Sequence, residues 1–150
     1  MNDSTVKDPT QSAQSEESVE QTGATMENRE IKQPSMKDYA VKDMSLAEQG
    51  KKNIELAEMQ MGALLEVRKK MEAEKPFEGM RIAMALHVTK ETAVLVKTLQ
   101  VGGATVWITG CNPLSTQDDV AAALAEDGVH VYAHKGESEE DYYEYLHTVI

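Results

Sequence analysis

The stretch "MRIAMALHVTKETAVLVKTLQVGG", residues 80–103, contains a complete change from a strand pattern to a helix pattern. Residues 80–86 are apolar apart from Arg81, which is typical of a short strand buried in a parallel sheet. Residues 91–103 carry apolar side chains at helical spacing and end on two glycines, which predicts a helix with a C-terminal stop. The inward side of this helix is predicted to carry Thr92, Leu95, Val96 and Leu99.

The same change of pattern recurs twice further along the chain. Residues 104–109 and 129–133 are rich in β-branched and aromatic side chains, which favour strands. Residues 115–128 and 138–150 have the apolar spacing of helices. The sequence therefore predicts an α/β fold with three strand–helix (βα) units and an open parallel sheet of Rossmann or flavodoxin type, covered by helices on both sides.

Polar residues and chain ends refine this prediction. Ser115 or Thr116 is expected to cap the second helix, and Ser138 is spaced with Asp141 as a reciprocal capping pair for the third. Three parallel strands leave two sheet edges open, and the apolar helical pattern continues to Ile150. The sheet is therefore expected to be incomplete, as the first part of a larger α/β domain.

A helical segment and a polar tail are predicted before the first strand. Ser45 and Glu48 have the spacing of a capping box, apolar residues then recur at three and four, and Pro76 ends the segment. Apolar positions in this segment include Ile54, Ala57, Met61, Leu64 and Met71. Residues 1–35 carry a net charge of −4 and almost no large apolar side chain. They are predicted to be a disordered acidic tail, which leaves 36–150 as the folded part.

Composition excludes several classes of protein. A net charge of −11 without a basic patch argues against nucleic acid as a partner. Cys111 is the single cysteine, so an intrachain disulfide and a zinc site built on several cysteines are excluded. The sequence has no run of 18 apolar residues and no secretory signal pattern, so no membrane association is expected and the chain is predicted to be cytoplasmic.

The loop after the first strand carries the strongest candidate site. Ligands of open parallel sheets bind outside the carboxyl ends of the strands, where His87, Thr89 and Glu91 are expected to lie. Each residue also has a structural interpretation: a ring satisfied at a strand end, a helix N-cap, and a carboxylate that favours a helix N-terminus. In the functional interpretation, the histidine transfers a proton, the threonine binds a polar ligand and the carboxylate accepts from an amine. Spacing alone leaves both interpretations open.

Other chemical motifs are weak or missing. Cys111 has no recognisable partner base, so it is interpreted as an inert thiol. The other histidines do not have the spacing of a metal site. The sequence contains neither G-x-G-x-x-G nor a P-loop, so no dinucleotide or nucleoside triphosphate cradle is predicted in this chain.

Two linked strings resemble a known enzyme family. "LH-x-T-x-x-TAVL" at 86–95 and "CN-x-x-STQD" at 111–118 are similar to the S-adenosylhomocysteine hydrolase (adenosylhomocysteinase) family, and the likeness covers about 39–150. The resemblance implies reversible, NAD-dependent cleavage of S-adenosylhomocysteine to adenosine and homocysteine. It also implies that Thr89 binds the ribose, His87 transfers a proton near the 5′ position and Glu91 binds the adenine edge.

The resemblance has departures and limits. Asp119 and His134 stand where the family pattern has a histidine and a tryptophan. The likeness covers roughly the N-terminal quarter of the family's usual length, so the NAD domain is expected beyond Ile150. This chain alone is therefore not expected to turn over substrate. Its implied partners are the nucleoside substrate and the remainder of a homo-oligomeric hydrolase.

Two alternatives to a hydrolase fragment remain. The chain can be a non-catalytic, truncated homologue that regulates or pairs with a full-length hydrolase. Composition and periodicity alone equally support an unrelated flavodoxin-like receiver or nucleotide-binding domain.

Overall fold

A three-stranded parallel sheet organises residues 38–150, which are the residues that the computed structural model describes. Its strands lie in the order β1 (Arg81–Ala85), β2 (Thr105–Thr109) and β3 (His130–Tyr132). The predicted α/β fold with an open parallel sheet is confirmed. The predicted tail of residues 1–35 lies outside the described residues.

Helices precede the sheet and connect its strands. A 3-10 turn at Met44–Leu46 leads into the first helix. The α-helices of the described residues are α1 (Ala47–Glu58), α2 (Gly62–Glu74), α3 (Lys90–Val101), α4 (Asp118–Glu126) and α5 (Glu139–Val149). Within residues 38–150, no helix combines the length and the apolar character needed to cross a membrane.

The helical segment before β1 begins and divides differently from the prediction. Asp43, not Ser45, caps its start, because the Asp43 carboxylate accepts a hydrogen bond from the Ser45 backbone N–H at 2.9 Å. The segment forms two helices, since a turn at residues 59–61 separates α1 from α2. Of the predicted apolar positions, Ile54 and Ala57 are buried in the core and Met61 and Leu64 pack against it, whereas Met71 is only half-buried.

Helix α3 buries more of its surface than a one-sided pattern predicts. Ala93, Val94 and Thr98 are fully buried, whereas Leu95 and Leu99 of the predicted face are only half-buried. The reason is that α3 contacts β2 and is also covered by α1 and α2. Buried Thr98 donates its hydroxyl proton to the Val94 carbonyl and accepts from Arg68 Nε at 3.2 Å, so its polar group is satisfied.

The N-terminal cap predicted from the sequence is wrong for α4 and correct for α5. The residue at the N-cap of α4 is Gln117, so the predicted cap at Ser115 or Thr116 is wrong. At α5 the predicted capping pair is confirmed: Ser138 Oγ accepts from the Asp141 N–H, and the Asp141 carboxylate accepts from the Ser138 N–H.

The two faces of the sheet are covered unequally. Met84, Ile108 and Val131 point to one face and are buried in the core shared with α3 and α4. Helix α5 covers part of the opposite face, where Ala83 is exposed and Trp107 is half-buried. The prediction of a sheet covered on both sides is therefore correct for one face and only partly correct for the other.

The two sheet edges also differ. Ala40 forms a parallel bridge with Tyr132 of β3, donating to the Val131 carbonyl at 2.7 Å and accepting from the Ala133 N–H at 3.0 Å. The edge at β3 is thus partly paired, contrary to the prediction of two open edges. Among residues 38–150, β1 has a neighbouring strand on one side only.

A glycine permits the close packing of α1 against α4, and this generates a stability prediction. A Cβ at Gly50 would lie 1.9 Å from the Asp119 carbonyl oxygen and 2.9 Å from Ala123 Cβ. We expect Gly50→Ala to lower the free energy of unfolding by about 1–3 kcal/mol, since the helices must separate to admit the methyl group.

Gly62→Ala is the matched control, because nothing lies within 4 Å of a Cβ at that helical glycine. It should leave stability unchanged or raise it by up to about 1 kcal/mol. Urea denaturation of both variants measures the difference, and equal stabilities would contradict the packing argument.

Candidate functional site

The candidate site lies at the C-terminal edge of the sheet, which we call the rim: residues 86–91, 110–118 and 133–138. Three backbone hydrogen bonds join the first two rim loops, from the N–H groups of Leu86, Cys111 and Gln117 to the carbonyls of Thr109, Leu86 and Val88. Their donor–acceptor distances are 2.9 to 3.2 Å. The parallel pairing of β1 with β2 therefore continues beyond the strands and fixes the two loops side by side.

His87 is exposed on the first rim loop and contacts the second. Its Nδ1 atom lies 2.6 Å from Ser115 Oγ, which is also 3.1 Å from the backbone carbonyl oxygen of Asn112. The ring is thus held by a side-chain hydroxyl and not by the backbone carbonyl that a purely structural histidine was expected to use. This contact leaves the imidazole facing solvent at the rim.

Thr89 occupies the N-cap position of α3 without capping it through its side chain. Its backbone is extended, with φ −119° and ψ 167°, and its hydroxyl makes no capping hydrogen bond. Gln117 Oε1 instead accepts from the Lys90 N–H at 2.9 Å. The predicted N-cap position of Thr89 is therefore confirmed, but its half-buried hydroxyl does not supply the cap.

Glu91 lies in the first turn of α3 and is exposed. A carboxylate there is favoured by the partial positive charge of the helix N-terminus. Its Oε1 atom lies 4.0 Å from Lys90 Nζ, a long ion pair that solvent weakens further. Within residues 38–150, no hydrogen bond joins the side chains of His87, Thr89 and Glu91, so a common ligand for them stays a prediction.

A buried polar cluster lies beneath the second and third rim loops. Thr109, Thr116 and Glu137 are at most 5% exposed, and one side-chain oxygen of each lacks a hydrogen-bond partner within the described part of the chain. Thr116 Oγ1 and Glu137 Oε1 both approach Gly110, lying 3.4 and 3.5 Å from where a Cβ would stand. Burial raises the pKa of the Glu137 carboxyl, which the His134 N–H hydrogen bond opposes.

Sequence reasoning missed the roles of several rim residues. Glu137 lies in a polar stretch that predicts exposure, and nothing in the local pattern indicates that its carboxyl is buried. Gln117 and Ser115 belong to the "CN-x-x-STQD" string, which was the available signal. Their pairing across the chain with Lys90 and His87 depends on the strand register and cannot be read from spacing.

The remaining candidates from the sequence are the Cys111 thiol and possible metal ligands. Cys111 is an exposed free thiol. In the part of the chain that the structure describes, no three His, Cys, Asp or Glu side chains are grouped to hold a metal ion. Cavities of about 370 and 660 Å3 lie beside Trp107 on the open sheet face and between Tyr39 and His134, respectively. The second is partly lined by the rim residues 134–136, and neither is lined by His87, Thr89 or Glu91.

The two departures from the resembled family have local partners. Asp119 accepts a hydrogen bond from Asn53 Nδ2 at 2.6 Å, which joins α4 to α1. The His134 ring lies edge-on to Tyr145, with 3.4 Å between His134 Nδ1 and the phenol oxygen. Within residues 38–150, neither side chain forms a hydrogen bond with His87, Thr89 or Glu91.

Comparison with known proteins gives a consistent result. The family model described as S-adenosyl-L-homocysteine hydrolase matches residues 38–150. An adenosylhomocysteinase of Sulfurisphaera tokodaii is 65% identical over 94 residues, which is 63% of this chain and 23% of that protein. An adenosylhomocysteinase of Sulfolobus acidocaldarius is 62% identical over the same shares of both chains.

A relative named for a different activity is also similar to this chain. The S-inosyl-L-homocysteine hydrolase of Methanopyrus kandleri is 55% identical over 94 residues, covering 63% of this chain and 22% of its own length. The chain therefore spans less than a quarter of the length of these curated relatives.

The buried Glu137 carboxyl predicts a pH dependence of stability. Because its pKa is raised in the folded state, the folded chain holds this proton at pH values where the unfolded chain has released it. Its contribution to the free energy of unfolding therefore falls as the pH rises above the ordinary glutamate pKa of about 4.3.

Glu137→Gln removes this titration while keeping the shape of the side chain. The stability of the variant relative to the wild type should therefore increase from about pH 4 to about pH 7. Urea denaturation across this range measures the difference, and the acid end serves as the internal control. A difference that is constant with pH would contradict the assignment.

Proposed function

The chain belongs to the S-adenosyl-L-homocysteine hydrolase family, and from this premise we propose that it supplies part of the nucleoside pocket of an adenosylhomocysteinase. The proposed reaction is the NAD-dependent, reversible hydrolysis of S-adenosyl-L-homocysteine to adenosine and L-homocysteine. The observation that carries the proposal is the position of His87, Thr89 and Glu91 on one rim loop, fixed by backbone hydrogen bonds beside the "CN-x-x-STQD" loop.

Thr89 is proposed to bind the ribose. Its hydroxyl is both a donor and an acceptor, as ribose hydroxyls are, and it is not engaged in capping α3. Because Gln117 serves the helix start instead, binding a ligand through Thr89 does not cost the helix its cap. This arrangement supports a role for the Thr89 hydroxyl in binding substrate.

His87 is proposed to transfer a proton near the 5′ position of the nucleoside. Cleavage at that position needs a proton for the departing thiol in one direction and removal of one from water in the other. Imidazole is suited to both roles near neutral pH. The exposure of the ring and its single side-chain contact with Ser115 support this assignment.

Glu91 is proposed to recognise the base. A carboxylate only accepts hydrogen bonds, and the exocyclic amine of adenine donates them. Hypoxanthine has a carbonyl oxygen at the same position, which a carboxylate repels. Of the two activities for which the relatives are named, the glutamate at position 91 therefore favours hydrolysis of the adenine nucleoside.

NAD belongs to this proposal as the cofactor of the whole enzyme, to which it supplies a hydride acceptor. The 150-residue sequence contains no G-x-G-x-x-G motif, so the residues present do not fit a dinucleotide. No residue of this chain is assigned to NAD. The cytoplasmic location, the remainder of the hydrolase as partner, and a homo-oligomeric enzyme of the S-adenosylmethionine cycle are parts of the same proposal.

Titration with adenosine, followed by amide NMR, tests nucleoside binding by this chain. We expect saturable shifts at the rim, and a loss of affinity of about threefold to tenfold in Thr89→Val, the effect of one net hydrogen bond. Thr105→Val is the matched control, since Thr105 is exposed at the opposite end of β2. Absence of rim shifts at millimolar adenosine would contradict the proposal, and co-purification with a longer homologue would then favour a pairing module.

The role of Glu91 predicts a change in base preference. Wild-type chain should bind adenosine more tightly than inosine, because the two ligands differ in donor and acceptor at the position facing the carboxylate. Glu91→Gln should narrow this preference by about threefold or more, since an amide both donates and accepts. Glu66→Gln, on exposed α2, should leave the ratio unchanged, and an equal ratio in wild type and Glu91→Gln would exclude the assignment.

A further inference from the structure

The contact between His87 and Ser115 determines which ring nitrogen carries the proton. Ser115 Oγ lies 3.1 Å from the carbonyl oxygen of Asn112, an atom that can only accept a hydrogen bond. The single hydroxyl proton of Ser115 is therefore directed to Asn112. With that proton on Asn112, Ser115 Oγ offers a lone pair to His87, and Nδ1, at 2.6 Å, is then the donor.

A neutral imidazole has one N–H group, so a proton held on Nδ1 leaves Nε2 as a proton acceptor. His87 is exposed, and within residues 38–150 its Nε2 atom makes no hydrogen bond. We infer that Ser115 is a positioning residue that fixes the tautomer of His87 and presents Nε2 as the proton-accepting atom at the rim. The chemical purpose of this arrangement rests on the proposed function.

The second rim loop is built to hold Ser115 in this orientation. Asn112 Oδ1 accepts from the Leu114 N–H at 2.8 Å, and the Asn112 carbonyl accepts from the Ser115 N–H at 3.3 Å. The Pro113 carbonyl accepts from the Gly136 N–H at 2.7 Å, which attaches this turn to the third rim loop. The turn therefore places the Asn112 carbonyl and the Ser115 hydroxyl together before any ligand arrives.

This assignment gives a physical role to the spacing of the two sequence strings. Asn112 and Ser115 stand three residues apart, the separation at which a turn brings a carbonyl to a following hydroxyl. The parallel register of β1 and β2 then brings Ser115 to His87, 28 positions earlier in the chain. The string at 86–95 supplies the imidazole of His87, and the string at 111–118 supplies Ser115, which determines the ring nitrogen that carries the proton.

Nitrogen NMR of the imidazole rings tests the inference without any nucleoside. At about pH 8.5, well above the ordinary imidazole pKa of about 6.5, the shifts of Nδ1 and Nε2 report which atom is protonated. We expect His87 to be mainly the Nδ1–H form in the wild type. In Ser115→Ala the ratio of the Nδ1–H to the Nε2–H form should fall by about twofold to tenfold, as expected for one lost hydrogen bond.

Two controls make the result specific. Ser115→Thr keeps the hydroxyl and should restore the wild-type ratio, which a general disturbance of the loop would not do. His130 is an internal reference, because its Nδ1 lies 3.2 Å from the Asp38 carbonyl oxygen and does not depend on Ser115. Its signals should be the same in all variants.

The outcomes separate this inference from the proposed function. A wild-type His87 that is mainly the Nε2–H form, or an unchanged ratio in Ser115→Ala, would overturn the role of Ser115 even if adenosine binds. The expected tautomer together with no adenosine binding would leave the geometry correct and reject the nucleoside pocket.

Discussion

The parallel register of β1 against β2 is the constraint on which the rest of this structure depends. It pairs Arg81 with Thr105 and runs unchanged to Ala85 with Thr109. Because backbone bonds from Leu86, Cys111 and Gln117 then continue across the loops, two segments far apart in sequence become one surface. A one-residue shift of β1 against β2 would turn the side chains of the shifted strand to the opposite face and separate His87 from Ser115.

Because this register places the rim loops side by side, some rim residues support others. Gln117 holds the start of α3, which leaves the Thr89 hydroxyl out of the helix cap. Ser115 holds the His87 ring, and a turn centred on Asn112 holds Ser115. Beneath them the side-chain oxygens of Thr116 and Glu137 lie close to Gly110. The exposed side chains are thus supported by others that do not themselves need to meet a ligand.

The fold was largely predictable because strands and helices follow local periodicity. All three strands and the helices after them were found, and the capping pair of Ser138 and Asp141 was correct because it is a local interaction. Errors arose where tertiary contacts decide. Leu95 and Leu99 are less buried than Ala93 and Val94 because α3 is covered from several sides. Helix α4 starts at Asp118, after Ser115, whose hydroxyl contacts His87 and Asn112. The rim position of His87, Thr89 and Glu91 followed from topology, whereas the partners of Ser115, Gln117 and Glu137 required coordinates.

The two edges of the sheet differ in their ability to pair with a further strand. Ala40 occupies the outer side of β3, while the outer side of β1 has no strand beside it within residues 38–150. Unpaired amide and carbonyl groups along such a border recruit any extended peptide that reaches them, and a charged side chain such as Arg81 discourages indiscriminate recruitment. The five residues of β1 are therefore the border of the described structure at which a further extended segment can pair.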